Sequence, residues 1–185
     1  DTRETLREKV RHATILGTLQ SDLTDIKYLR KKWTDNCEDE RLLGVSLTGI
    51  TDHPLLGNPN DPSLPDLLRE LRTVARETNA EWAHKLGIKP SVAVTTVKPS
   101  GTVSQLVNSS SGIHPRFSAY YIRRVRANNK DPLAVLMQAQ GFPCEADVAN
   151  ANNLVFAFPV AAPDGARLAA DVDAITQCKL WAAYN

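Results

Sequence analysis

Apolar positions recur at helical spacing over two long stretches of this chain and gather in short runs elsewhere. In the first stretch Leu6, Val10, Ala13, Leu16 and Leu19 fall along one side of a helix continuing to Leu23, with Asp1 and Glu4 as its capping box. The second predicts a helix over 64–86: Ser63 stands at the N-cap, Pro65 and Asp66 in the first turn, and Gly87 just past the end. Leu67, Leu71, Val74, Thr78 and Trp82 then face the core. Between the two helices, 42–47 is apolar enough for a buried strand punctuated by Gly44 and Gly49, and 51–65, rich in Pro, Asn, Asp and Gly, is a loop. A β-branched run over 92–97 stops at a Pro-Ser-Gly-Thr turn, after which 102–107 opens a short helix. The segment 120–126 is a basic strand. Asp131 and Pro132 start a helix that Gly141 ends, 154–158 forms a strand, and 166–183 forms a last helix. The alternation, without internal repeat, indicates an α/β fold with parallel strands and covering helices.

Composition changes little in this picture. With 185 residues, 42% hydrophobic and 23% charged, the chain is long enough for one domain and too apolar for general disorder. A net charge of +1 gives no global attraction to nucleic acid, and no apolar run is long enough to span a bilayer. No signal-like core follows the charged N-terminus, so a soluble, cytoplasmic protein is expected. Because it starts without Met and breaks off at Tyr184-Asn185, the sequence looks cut from inside a longer protein.

The three cysteines, Cys37, Cys144 and Cys178, form neither a CxxC pair nor metal-ligand spacing with the four histidines. They read as reduced thiols, with Cys178 a small core residue of the last helix.

The turn after the β-branched run carries the candidate chemistry. A strand, turn and helix start presents unpartnered amides, which suit a phosphate. Gly101 allows close approach of the backbone, and Ser100, Thr102 and Ser104 offer hydroxyls. Taken alone, Pro-Ser-Gly is also ordinary turn chemistry. Lys98 either adds positive charge or points to solvent.

Further blocks follow in order: Ser111-Gly112-Ile113-His114-Pro115, then Tyr120-Tyr121-Ile122-Arg123-Arg124-Val125-Arg126. Leu43-Gly44-Val45-Ser46-Leu47-Thr48-Gly49-Ile50 precedes them, and Ala151-Asn152-Asn153-Leu154-Val155-Phe156-Ala157-Phe158-Pro159 comes after. With Lys98-Pro99-Ser100-Gly101-Thr102-Val103-Ser104, this series resembles the adenosylcobalamin-dependent ribonucleoside-triphosphate reductases over essentially the whole chain. The resemblance implies a ten-stranded α/β barrel made of two five-stranded halves. Residues 1–185 would be a fragment of that single catalytic domain, from the second half-barrel and incomplete at both ends. It should fold poorly alone, because an open barrel exposes strand edges.

For chemistry, the resemblance implies a thiyl radical generated with adenosylcobalamin, abstraction of the 3′ hydrogen of a ribonucleotide, loss of the 2′ hydroxyl, and electrons from a cysteine pair. In the family the radical cysteine sits in an Asn-x-Cys-x-Glu loop. None of the three cysteines has that context, so the catalytic cysteines are expected upstream of Asp1 and the C-terminal reducing pair beyond Asn185. The role carried over here is substrate phosphate binding at Pro99, Ser100, Gly101, Thr102 and Val103, with Lys98, Ser104 and His114 as pocket neighbours. Residues 113–115 and 120–124 are more similar to the monomeric triphosphate-reducing type than to the dimeric one. A ribonucleoside triphosphate substrate, a deoxynucleotide effector and a thioredoxin-type reductant are the implied partners.

A rival reading is a single-stranded nucleic-acid-binding module over 116–130, where Phe117, Tyr120 and Tyr121 interleave with Arg116, Arg123, Arg124, Arg126 and Lys130. The near-neutral chain lacks the broad basic face such modules carry, and a solvated or salt-bridged strand end is the plainer account of these arginines.

Overall fold

Thr2, not Asp1, caps the first helix. In the computed structural model, which describes all residues from Asp1 to Asn185, the Thr2 hydroxyl accepts from the Thr5 amide at 3.2 Å and the Thr5 hydroxyl accepts from the Thr2 amide at 2.9 Å. This is the expected reciprocal box moved one residue along. The helix, α1 (Arg3–Gln20), buries Leu6, Val10, Thr14 and Thr18. Leu16 is 68% exposed and Leu19 41%, against expectation, because steps of three from Val10 carry a stripe backward around the helix by about 60° each. Thr14 and Thr18 enter the interior without cost in lost hydrogen bonds, since their hydroxyls donate to the carbonyls of Val10 (2.7 Å) and Thr14 (2.8 Å).

A short polar helix, α2 (Lys31–Glu40), buries no residue and leaves no apolar stripe in the sequence to announce it. The next, α3 (Leu64–Leu86), has the predicted ends: Ser63 lies at its N-cap, and Gly87 closes it at φ 69°. Its buried stripe is Leu64, Leu67, Leu71, Ala75, Thr78, Asn79 and Ala83, with Val74 and Trp82 only half-buried. Asn79 is fully employed. Its amide nitrogen donates to the hydroxyls of Thr18 and Ser91, both at 3.0 Å, and its oxygen accepts from the Ser91 amide at 2.8 Å.

These elements belong to one of two compact units, Asp1–Pro115 with Val172–Asn185. Its core joins Leu6 and Val10 to Ile50, Leu56, Leu64, Leu67, Leu71 and Leu180. The predicted strands at 42–47 and 92–97 reduce to extended stretches sharing one parallel bridge, Val45 with Thr95, supported by Leu43 N–H to Ala93 O (2.9 Å) and Thr96 N–H to Val45 O (3.0 Å). The last helix, α6 (Ala174–Tyr184), starts later than 166, because the Asp173 carboxylate accepts from the amides of Ile175 and Thr176. Leu180 takes the buried position on it, and Cys178 is exposed rather than in the core. Burial pushes the Tyr184 phenol up, and its hydroxyl donates to Leu56 O at 3.0 Å.

The second unit, Arg116–Asp171, holds a three-stranded sheet of β1 (Tyr120–Asn128), β2 (Cys144–Ala146) and β3 (Asn153–Ala161) in the order β1-β3-β2. Both pairings are antiparallel, which corrects the expectation of parallel strands. The connection between β2 and β3 is too short to carry a parallel crossover. Helix α4 (Val103–Leu106) belongs to the first unit. In the second, α5 (Pro132–Ala139) begins where predicted, with Asp131 accepting from the amides of Leu133 and Ala134. No helix is long and apolar enough to cross a membrane.

Candidate phosphate-binding site

Residues 98–104 form an exposed turn of which only Ser100 and Ser104 are drawn inward. Gly101 has φ 49°, a left-handed conformation that a side chain would strain. The Val103 amide donates back to Ser100 O at 3.1 Å, closing the turn into α4. The amides of Gly101 and Thr102 have no acceptor within the protein, and both residues are exposed. Lys98, Pro99 and Val103 are exposed beside them, whereas Ser104 is fully buried with its hydroxyl near the Gln105 side-chain amide at 3.5 Å.

The loop 109–114 stands directly behind this turn. A Cβ built on Gly112, at φ 57°, would lie 2.7 Å from Lys98 O, so only glycine permits this approach of the two backbones. The Ser100 amide donates to the Ser111 hydroxyl at 3.3 Å. His114 is exposed, with Nδ1 3.3 Å from Ser111 O, which makes it a loop histidine bonded within its own turn.

A third segment, 48–52, grips both. In the sequence its residues fall partly in the block ending at Ile50 and partly in the loop that starts at Thr51, and their polar contacts have no periodicity that sequence could reveal. Thr48 Oγ1 lies 2.9 Å from Ser100 Oγ, 3.0 Å from Ser110 O and 3.0 Å from the Gly112 amide. Thr51 Oγ1 lies 3.0 Å from both Ser110 Oγ and His114 O. The Asp52 carboxylate accepts from the Ser110 amide at 2.7 Å, and the Gly49 and Ile50 amides donate to Ser110 O and Gly112 O. The turn that follows is fixed by His53, whose Nδ1 accepts from the amides of Leu55 and Leu56 at 3.2 Å each. Those bonds need an unprotonated Nδ1, and burial pushes the ring below its ordinary pKa.

The basic strand in the other unit differs. Arg124 pairs with Glu145, and Arg126 Nε meets Asp147 Oδ2 at 3.0 Å. The Ala149 amide, followed by the charge of Arg126, holds the Asp147 carboxyl below the usual range. Phe117 and Tyr121 pack edge to face at 6.5 Å, and Tyr120 is exposed. No cluster of His, Cys, Asp or Glu is arranged to hold a metal ion.

The first unit also carries an open cavity of about 610 Å³ lined in part by Leu68, Leu71, Thr95, Val97, Trp181 and Tyr184. None of the buried polar atoms lacking a partner (Arg41 Nε, Trp82 Nε1, Ser109 Oγ and Gln177 Oε1) belongs to a residue that lines it.

No family model matches the chain. Individual proteins do. It is 32% identical over 148 residues to the adenosylcobalamin-dependent ribonucleoside-triphosphate reductase of Lactobacillus delbrueckii subsp. bulgaricus, a match covering 68% of this chain and 20% of that protein. The enzyme of the same name from Lacticaseibacillus paracasei is 36% identical over 151 residues, covering 69% and 20%. Among solved structures, the crystal structure of a B-12 dependent (class II) ribonucleotide reductase superposes with a TM-score of 0.61 at 28% identity, over 83% of this chain and 25% of that one. The chain thus spans about a fifth of the length of the curated relatives it matches. The mixed helices and small sheet described above match a fragment of that α/β barrel fold, and on sequence and fold together the chain belongs to the adenosylcobalamin-dependent ribonucleotide reductase family.

Proposed function

We propose that this chain is part of a longer enzyme that reduces ribonucleoside triphosphates to 2′-deoxyribonucleoside triphosphates, and that its own contribution is the loop holding the substrate's phosphates. One observation carries the reading: the amides of Gly101 and Thr102 are exposed and unpartnered on a turn whose backbone is locked from behind. Several such donors at fixed positions bind a polyphosphate with orientation as well as charge, which a single lysine does not. Thr102 adds a hydroxyl, and Pro99 and Val103 frame the turn. Lys98 is free to neutralise charge from solvent, and His114 borders the same loop.

Adenosylcobalamin would supply the radical chemistry in the whole protein. Neither the two histidines near this site nor the cavity fits it. His53 is committed to two backbone amides, His114 to its own turn, and the cavity presents no orphaned polar group. This chain's part is therefore binding and orientation. A deoxynucleotide effector, a thioredoxin-type reductant, a cytoplasmic location and a monomeric state belong to the same proposal for the whole protein. The test is an anaerobic assay of the full-length polypeptide with CTP, a dithiol and adenosylcobalamin. Formation of dCTP that depends on the cofactor is expected, and no turnover by a folded, cofactor-supplied protein would contradict the reading.

A further inference from the structure

The hydroxyl of Thr48 makes three contacts with one proton. Ser110 O is a carbonyl and only accepts, so the Thr48 proton goes there at 3.0 Å. The Gly112 amide only donates, so it fills one lone pair of Thr48 Oγ1, also at 3.0 Å. The remaining contact, 2.9 Å to Ser100 Oγ, is then a bond in which Ser100 donates its own proton to Thr48. With the Ser100 amide already given to Ser111 Oγ at 3.3 Å, both donors of Ser100 point backward into the protein. Ser100 therefore has nothing to donate to a phosphate while these bonds stand, and the forward-facing donors are those of Gly101 and Thr102.

We infer that Thr48 is a positioning residue for substrate binding: it accepts from Ser100 and Gly112 and donates to Ser110, locking the turn at 99–103 against the loop at 109–114 so that the Gly101 and Thr102 amides face the nucleotide. The inference rests on the phosphate reading above and goes beyond it in assigning Ser100 a structural hydroxyl and in adding a residue far away in sequence. The connection is local and polar. Gly112, the residue that allows the closest approach of the two backbones, is one of the three groups Thr48 holds.

The experiment is a double-mutant cycle in the full-length protein, read as KM and kcat for CTP with unfolding temperature recorded for each variant. Thr48→Val keeps the shape and removes the hydroxyl. It should raise KM roughly tenfold, the scale of one hydrogen bond, with kcat within about twofold. Thr48→Ser should restore KM to within about twofold. Ser100→Ala should raise KM as well, but the double variant should be no worse than the poorer single one, because the two hydroxyls make one bond. Fully additive effects would mean that Ser100 touches phosphate independently, and would overturn the inference. So would equal losses in Thr48→Val and Thr48→Ser that track unfolding temperature. Thr102→Pro, at a φ of −107° that proline can approach, removes a proposed donor amide and separates the two readings. If it raises KM while Thr48→Val does not, the Thr48 inference fails and the phosphate loop stands. If neither changes KM, the phosphate loop itself is wrong.

Discussion

Two segments of this chain look suited to anions, and they spend their polar groups in opposite ways. The turn at 98–104 has one lysine, yet the amides of Gly101 and Thr102 are left unpartnered while the hydroxyls of Thr48, Ser100, Thr51 and Ser110 are consumed in bracing it. The strand β1 has three arginines, yet Arg124 and Arg126 are paired with Glu145 and Asp147. A count of positive charges would choose the strand. Counting uncommitted donors chooses the turn, because a bound oxyanion needs groups that lose nothing by turning to it.

The largest expected contrast comes from glycines. Gly112→Ala places a methyl 2.7 Å from Lys98 O at a φ of 57°, and should cost about 1–3 kcal/mol of stability while raising KM for CTP in the full-length protein. Gly165, in the other unit, also has positive φ but has open space around it, so Gly165→Ala should cost about 1 kcal/mol and leave KM unchanged. An equal rise in KM for both would erase the distinction between the regions.

Acid should separate them next. The folded pKa of His53 lies below its unfolded value, so its contribution to stability is present above about pH 6.5 and is lost as pH falls toward the folded value. Asp147 is also depressed, but from a carboxylate's ordinary value, so its contribution persists until pH falls below about 4. Hydrogen exchange on the full-length protein should show peptides spanning 50–57 opening faster between pH 7 and 5.5, with peptides spanning 144–149 unchanged there. Simultaneous opening would break the comparison. The smallest effect is expected at β1. Arg124→Ala removes an exposed ion pair, costing about 0–1 kcal/mol with no change in KM. A thirty-nucleotide single strand should bind the wild-type protein with no steep salt dependence, and a steep one would restore the nucleic-acid reading.

Much of the scaffold was legible in the sequence because its signals are local. Gly87 at the end of α3 and Asp131-Pro132 at the start of α5 announce boundaries through backbone chemistry that acts within a turn. The inner face of α1 was misread because Thr14 and Thr18 count as polar in any pattern, although each satisfies its hydroxyl on its own helix. Antiparallel pairing in the second unit depends on which strand meets which, and alternation of elements does not encode that. The turn at 99–103 could be singled out from its residues and its resemblance to a family. Thr48 could not, because its three partners lie 52 to 64 positions away and nothing about an isolated threonine foretells them.

The central claim is that the Gly101 and Thr102 amides bind substrate phosphate. The most direct measurement is a crystal structure of the full-length protein with CTP. Phosphate oxygens about 2.7–3.2 Å from both amides, with Ser100 Oγ still bonded to Thr48, are the predicted result. CTP bound with its phosphates elsewhere and those two amides still without a ligand would contradict the account.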